Sequence, residues 1–97
     1  MTIETVAFEP DKYFASTATQ AHLIADAMKS GDAGYIADAI GIVARRRGMS
    51  DIADQAGLNR QALYSALSAG GNPTLTTLLK VLEALDLELT VRARQAA

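Results

Sequence analysis

The sequence predicts an all-α domain of five helices, with a short β-strand at one or both ends of the chain. Three observations carry that prediction. Apolar residues recur at helical spacing, as in Leu23, Ile24, Ala27 and Met28, and again in Ile36, Ile40 and Val43. Capping residues and stop residues punctuate these stripes: Asp32, Asn59 and Thr74 as starts, Gly31, Gly48 and Gly57 as ends. The apolar fraction, 49%, comes mainly from Ala, Leu, Ile and Val, with no Trp. Side chains of that kind suit packed helices.

Taken in order, residues 1–16 form an N-terminal arm and residues 17–97 the domain. The arm opens with TIETVAF, a β-branched run that reads as a short strand until Pro10 and Asp11 break it. Thr17 with Gln20 three residues on makes a capping-box pattern, which places the first helix at 17–30. The second helix, 33–47, starts at Asp32 and carries the row Ile36, Ile40, Val43. Gly41 inside it costs about 1 kcal/mol relative to Ala, a loss that a close helix crossing would offset. Arg45, Arg46 and Arg47 form its last turn. They suit the negative end of the helix dipole, and equally they suit contact with a phosphate backbone.

The third and fourth helices follow in the stretch MSDIADQAGLNRQALYSALS. Ser50 is the candidate cap of the third helix (50–56), with Ile52, Ala53 and Ala56 facing inward. Gly57 permits the positive φ of a sharp turn, and Asn59 caps a helix reaching Leu67 whose inward stripe is Ala62, Leu63, Ala66 and Leu67. A loop, Gly70 to Pro73, leads to Thr74 and a last helix over 75–85, where Leu75, Leu78, Leu79, Leu82 and Leu85 are assigned to the core. Residues 87–93 alternate, with Leu87, Leu89 and Val91 on one face and Glu88, Thr90 and Arg92 on the other. That pattern predicts a half-buried strand. A lone strand leaves its backbone groups unpaired, so it calls for the N-terminal strand or the same strand of a second subunit.

Composition excludes several function classes. Ninety-seven residues make one domain, and the absence of Cys removes disulfides, thiol catalysis and thiolate-ligated zinc. The opening residues lack a signal-peptide pattern and no apolar run approaches the ~18 residues of a membrane span. A soluble, cytoplasmic protein with no membrane partner is the expectation. The single His22 has no nucleophile or carboxylate cluster near it in sequence, Gly70 and Gly71 lack the strand and Lys of a phosphate-binding loop, and metal ligands are wanting. Neither an enzyme, a metal site nor a cofactor is expected. Net charge is −2, with a balance of −4 over residues 1–44 and +2 over residues 45–97.

The third and fourth helices carry the functional signal. A helix, a tight turn and a second helix of this size form the unit that places its second helix in the DNA major groove. Ala53 is small four residues before Gly57, where the two helices cross, and Leu63 is aliphatic six residues after it. The outer face of the second helix shows Arg60, Gln61, Tyr64 and Ser65, all able to hydrogen-bond. A purely structural helical corner is the competing reading.

From about Asp38 to Leu89 the chain resembles the Cro/C1-type (XRE-like) helix-turn-helix family. More closely, it resembles the antitoxins called addiction module antidote proteins. The similarity lies in AIGIVARRRGMSDIADQAGL and NRQALYSALSAGGNPTLTTLLKVLEALDLEL, and with SGDAGYIADAI it covers residues 8–91. Asp86 departs from the Gly that the family usually has after the last helix. The resemblance implies a lambda-repressor-like fold and a dimeric repressor. Such a protein binds its own operator DNA and neutralises a ribonuclease-type toxin encoded beside it. It also implies that Asn59, Arg60, Gln61, Tyr64 and Ser65 face the bases, with Arg47, Ser50, Gly71 and Asn72 toward phosphates. The toxin surface is placed on the acidic residues 1–32. A regulator without a toxin, or an interaction module that has lost DNA binding, are the alternatives.

Overall fold

The computed structural model describes residues 16–95. The expected N-terminal strand, and nearly all of the arm, lie outside that range. Five helices follow in order: α1 (Thr17–Ser30), α2 (Ala33–Arg47), α3 (Met49–Ala56), α4 (Arg60–Ala66) and α5 (Leu75–Ala84). All five stand within a residue of the positions that periodicity and capping predict.

Helix ends follow local chemistry. The Asp32 carboxylate accepts the N–H groups of Gly34 and Tyr35 at 2.9 and 3.2 Å. Asn59 Oδ1 accepts that of Ala62 at 3.0 Å, and Thr74 Oγ1 accepts that of Thr77 at 3.1 Å. Two starts differ from expectation. Ser16, not Thr17, caps α1: its backbone is still extended and its Oγ accepts the Thr19 N–H at 3.3 Å. Ser50 caps nothing, because the break between α2 and α3 is confined to Gly48, at φ +108°, and the chain is helical again by Met49. No side chain caps α3.

The ends of α3 and α5 share one hydrogen-bond pattern. After α3, Gly57 is left-handed, its N–H reaches Asp54 O at 3.2 Å and that of Leu58 reaches Ala53 O at 2.9 Å. After α5, Asp86 is left-handed at φ +62°, its N–H reaches Glu83 O at 3.0 Å and that of Leu87 reaches Leu82 O at 2.8 Å. Both are Schellman turns, in which a left-handed residue lets the chain satisfy the last carbonyls and fold an apolar residue back on the helix. Asp86 thus adopts the backbone conformation that Gly would favour, and a short polar side chain tolerates it.

The core gathers Ile24, Ile40, Val43, Met49, Ile52, Ala53, Leu63, Leu67, Val81, Leu82 and Leu85 from all five helices and the turn after α4. Helix α3 sits at its middle, packed on α2, α4 and α5, while α1 packs on α2. Three inward assignments change. Leu75 and Leu79 are 64% and 46% exposed, and Val81 is buried instead. The rotation of α5 that buries Leu78, Val81, Leu82 and Leu85 carries its other leucines outward. Ala62 is exposed as well, since so short a helix buries only a narrow stripe, Leu63 and Leu67.

The predicted strand 87–93 does not form. Residues 87–95 have no regular secondary structure, and the described residues contain no strand. Leu87 stays half-buried on the core, whereas Val91 is 93% exposed. A strand needs a neighbouring backbone, and none lies alongside among the described residues.

Gly41 explains how the fourth helix is seated. A Cβ on Gly41 would overlap the Leu67 carbonyl oxygen, and one on Gly34 would lie 2.8 Å from that of Ala69. The chain leaving α4 therefore runs directly over the backbone of α2. Gly41→Ala should lower stability by roughly 1–3 kcal/mol through overpacking, although Ala is the better helix former. Urea unfolding checks this, and a stabilised variant would show that the crossing is not close.

Candidate nucleic-acid interface

Helix α4 is anchored from beneath and presented from above. Leu63 and Leu67 are 1% and 0% exposed and fasten it to the core. The Asn59 cap fixes its first turn, and the Schellman turn at Gly57 and Leu58 fixes its approach from α3. Asn59, Arg60, Gln61, Tyr64 and Ser65 are all exposed, the first at the cap and the other four along the helix. Ala62, expected inward, is exposed with them.

Two of these side chains touch. The Arg60 guanidinium lies over the Tyr64 ring, 5.7 Å from its centroid. The i, i+4 spacing puts them on the same side of the helix, and a cation–π contact at an exposed site is worth about 0.5–1 kcal/mol. That is enough to bias Arg60 toward a small set of rotamers. Asn59 has a divided role: its Oδ1 is committed to the cap, so only its amide N–H groups remain for an outside acceptor.

The four residues expected on the phosphate side are placed differently from one another. Ser50 is exposed in the first turn of α3. That start lacks a side-chain cap, the arrangement in which backbone N–H groups are open to an oxygen acceptor. Gly71 is half-buried, and a Cβ there would collide with the Ala66 carbonyl; its N–H donates to Ser68 O at 2.8 Å. Close packing already accounts for this glycine. Asn72 is exposed and lines a shallow groove of ≈ 240 Å³ between α4 and the start of α5.

Arg47 points inward. Its Nε donates to Gln20 Oε1 at 3.1 Å, and its Nη2 donates to Thr17 Oγ1 at 3.3 Å and to Leu85 O at 2.9 Å. One guanidinium therefore ties the first turn of α1, the end of α2 and the end of α5 together. Gln20, 1% exposed, is the buried polar residue among those described. Sequence reasoning assigned it to a cap because Thr17 and Gln20 match a capping box. The partner that claims it is 27 residues away. Arg45 lies 4.0 Å from Asp38 in a half-exposed ion pair, the kind that contributes little.

Among the described residues, no group of His and acidic side chains has the arrangement to hold a metal, and no helix is long and apolar enough to cross a membrane. The described residues form an all-helical unit built around a helix, a three-residue turn and a helix, with exposed polar side chains on the second. The chain belongs to the family described as probable addiction module antidote proteins, whose model matches residues 4–93. It is 48% identical over 62 residues to an uncharacterized protein of Haemophilus influenzae. The match takes in 64% of this chain, which spans 64% of that relative's length. No solved structure gives a significant match.

Arg47→Ala should cost about 1.5–3 kcal/mol of stability, the range for hydrogen bonds made by a charged group, since it leaves the buried Gln20 without this donor. Arg47→Lys should not restore it, because an ammonium cannot serve diverging acceptors with a planar fork. Urea denaturation reads both; an unaltered midpoint for Arg47→Ala would remove this residue from the framework.

Proposed function

We propose that this protein is the antitoxin of a toxin–antitoxin pair: a sequence-specific DNA-binding repressor of its own operon that also neutralises a cognate ribonuclease-type toxin. The observation that carries the DNA half is the outer face of α4. Arg60, Gln61, Tyr64 and Ser65 stand exposed on a helix whose start, turn and buried side are all fixed. Such a helix can enter the major groove by its N-terminal half. Arg60 is suited to bidentate pairing with guanine and Gln61 with adenine, each worth about 1–3 kcal/mol of discrimination. The uncapped start of α3 at Met49 and Ser50 and the loop at Asn72 supply phosphate contacts, which set position and not sequence. Arg47 belongs in this reading to the framework that carries the interface. Membership of the antidote family supports the toxin half.

Each copy presents one recognition helix, so operator reading calls for two copies with those helices about 34 Å apart on one face of the duplex. The test is binding to the DNA upstream of the protein's own gene over a salt series. If the pair of copies neutralises about six phosphates, affinity should fall about a thousandfold between 50 and 200 mM salt. Absence of any sequence-specific shift would favour the second reading, a protein-interaction module without DNA binding. One observation speaks for that reading: α4 carries a single cation, Arg60, on a chain of net charge −2. Co-expression with the neighbouring toxin gene tests the other half, and unrelieved growth arrest would refute it.

Arg60→Ala should relax specificity at one operator position, by about 10-fold or more against the wrong base. Tyr64→Leu should reproduce part of that relaxation by freeing the guanidinium, and Tyr64→Phe should not. Mismatch-panel titrations decide this. Uniform losses over all sequences would take Arg60 out of base reading.

A further inference from the structure

The segment after α5 reads Asp86-Leu87-Glu88-Leu89-Thr90-Val91-Arg92-Ala93-Arg94. It alternates like a strand, but no strand forms along it. Val91 is almost wholly exposed and Leu89 is 44% exposed. Beside it lies an open groove of ≈ 340 Å³ lined by Ile24 and Met28 of α1, Leu82 of α5, and both the apolar Leu87 and Leu89 and the polar Glu88, Thr90 and Arg92 of the segment itself. Among the described residues no backbone pairs with this segment as a strand.

We infer that residues 87–93 pair with the same residues of a second copy, antiparallel about a two-fold axis through Thr90. The charge order selects this partner and this register. With Thr90 opposite Thr90, Glu88 faces Arg92 of the other copy and Asp86 faces Arg94, each twice by symmetry. Leu89 then faces Val91 and Leu87 faces Ala93 on the opposite side of the ribbon. Directly opposed residues in an antiparallel pair lie on one face within about 5 Å, so the ribbon has one fully charge-paired face and one fully apolar face. Moving the axis to Leu89 leaves only Asp86 against Arg92. Moving it to Val91 leaves only Glu88 against Arg94. Register is strongly set where one face is buried and the other matched in charge.

The interface would supply the pairing of copies that operator reading by α4 calls for, but it is measured with no DNA present, so its failure is distinguished from a failure to bind the operator. The full-length protein should be a dimer by light scattering at micromolar concentration. Glu88→Arg and Arg92→Glu should each weaken dimerisation about tenfold or more, since each converts two opposed pairs to like charges. The double variant should return to within about threefold of the parent. Both positions are exposed, and circular dichroism confirms that the helices persist. The chain has no Cys, so Thr90→Cys should oxidise to a covalent dimer. Arg94→Cys should not, because in this register the two copies of residue 94 stand roughly 27 Å apart. A monomer at all concentrations overturns the inference. So do single charge reversals without effect, a double variant no better than the singles, or Arg94→Cys crosslinking as readily as Thr90→Cys. Amide protection of residues 87–93 only on adding the toxin would assign the segment to that partner instead.

Discussion

The close approach of the chain leaving α4 to the backbone of α2 is the constraint on which the rest depends. Glycine at 41 and 34 brings the Leu67 and Ala69 carbonyls onto the helix surface. With Ala37 and Ala44 fully buried on the same helix, α2 becomes a smooth platform. Leu67 can then reach the core that Leu63 also enters, and the two seat α4. Were this contact wider, α4 would be held by its turn and Leu63 alone. A seven-residue helix has little stability of its own, so its orientation derives from that anchorage. The presentation of Arg60 and Gln61 is thus set largely by residues that point the other way.

Arg47 performs the complementary task at the far side of the bundle. Its contacts with Gln20, Thr17 and Leu85 close α1 and α5 onto the end of α2. The run Arg45–Arg47 is a uniform basic patch in one dimension and three different environments in three. Arg45 lies beside Asp38, Arg46 is exposed, and Arg47 is drawn into the framework. A phosphate role for the whole run would have put a structural residue in the interface. The distinction also matters for the proposed function, since loss of Arg47 would disturb the DNA binding proposed above only by loosening what holds α3.

The positions of the five helices were legible because capping and stop residues act over three or four residues. Asp32, Asn59, Thr74, Gly31 and Gly57 each do in space what their chemistry suggests in sequence. Part of the exposed polar face of α4 was legible for the same reason: a buried Leu63 and Leu67 leave Gln61 and Ser65 outward by helical geometry, whereas Arg60 shares the period of the two leucines and is exposed at the first position of the helix. Less readable were the choices among apolar residues. Leu75 and Leu79 look as eligible for the core as Leu82 and Leu85, and only the rotation of α5 against α3 excludes them. The cap of α1 is Ser16, whose extended backbone and bond to the Thr19 N–H mark the helix start one residue earlier than the capping-box pattern placed it. The C-terminal alternation is a genuine strand pattern, but pairing is a property of two backbones, and the described chain contains one.

The sequence by itself determined where helices begin and end, that Gln61 and Ser65 stand on the outer face of α4, and the charge order of residues 86–94. These are matters of local hydrogen bonding and side-chain period. Tertiary structure alone decided that Gly41 is required by a carbonyl packed against it, that Arg47 faces inward, and that α5 turns Val81 rather than Leu79 into the core. Each of these depends on groups brought together from separate parts of the chain, where close packing leaves room for one arrangement.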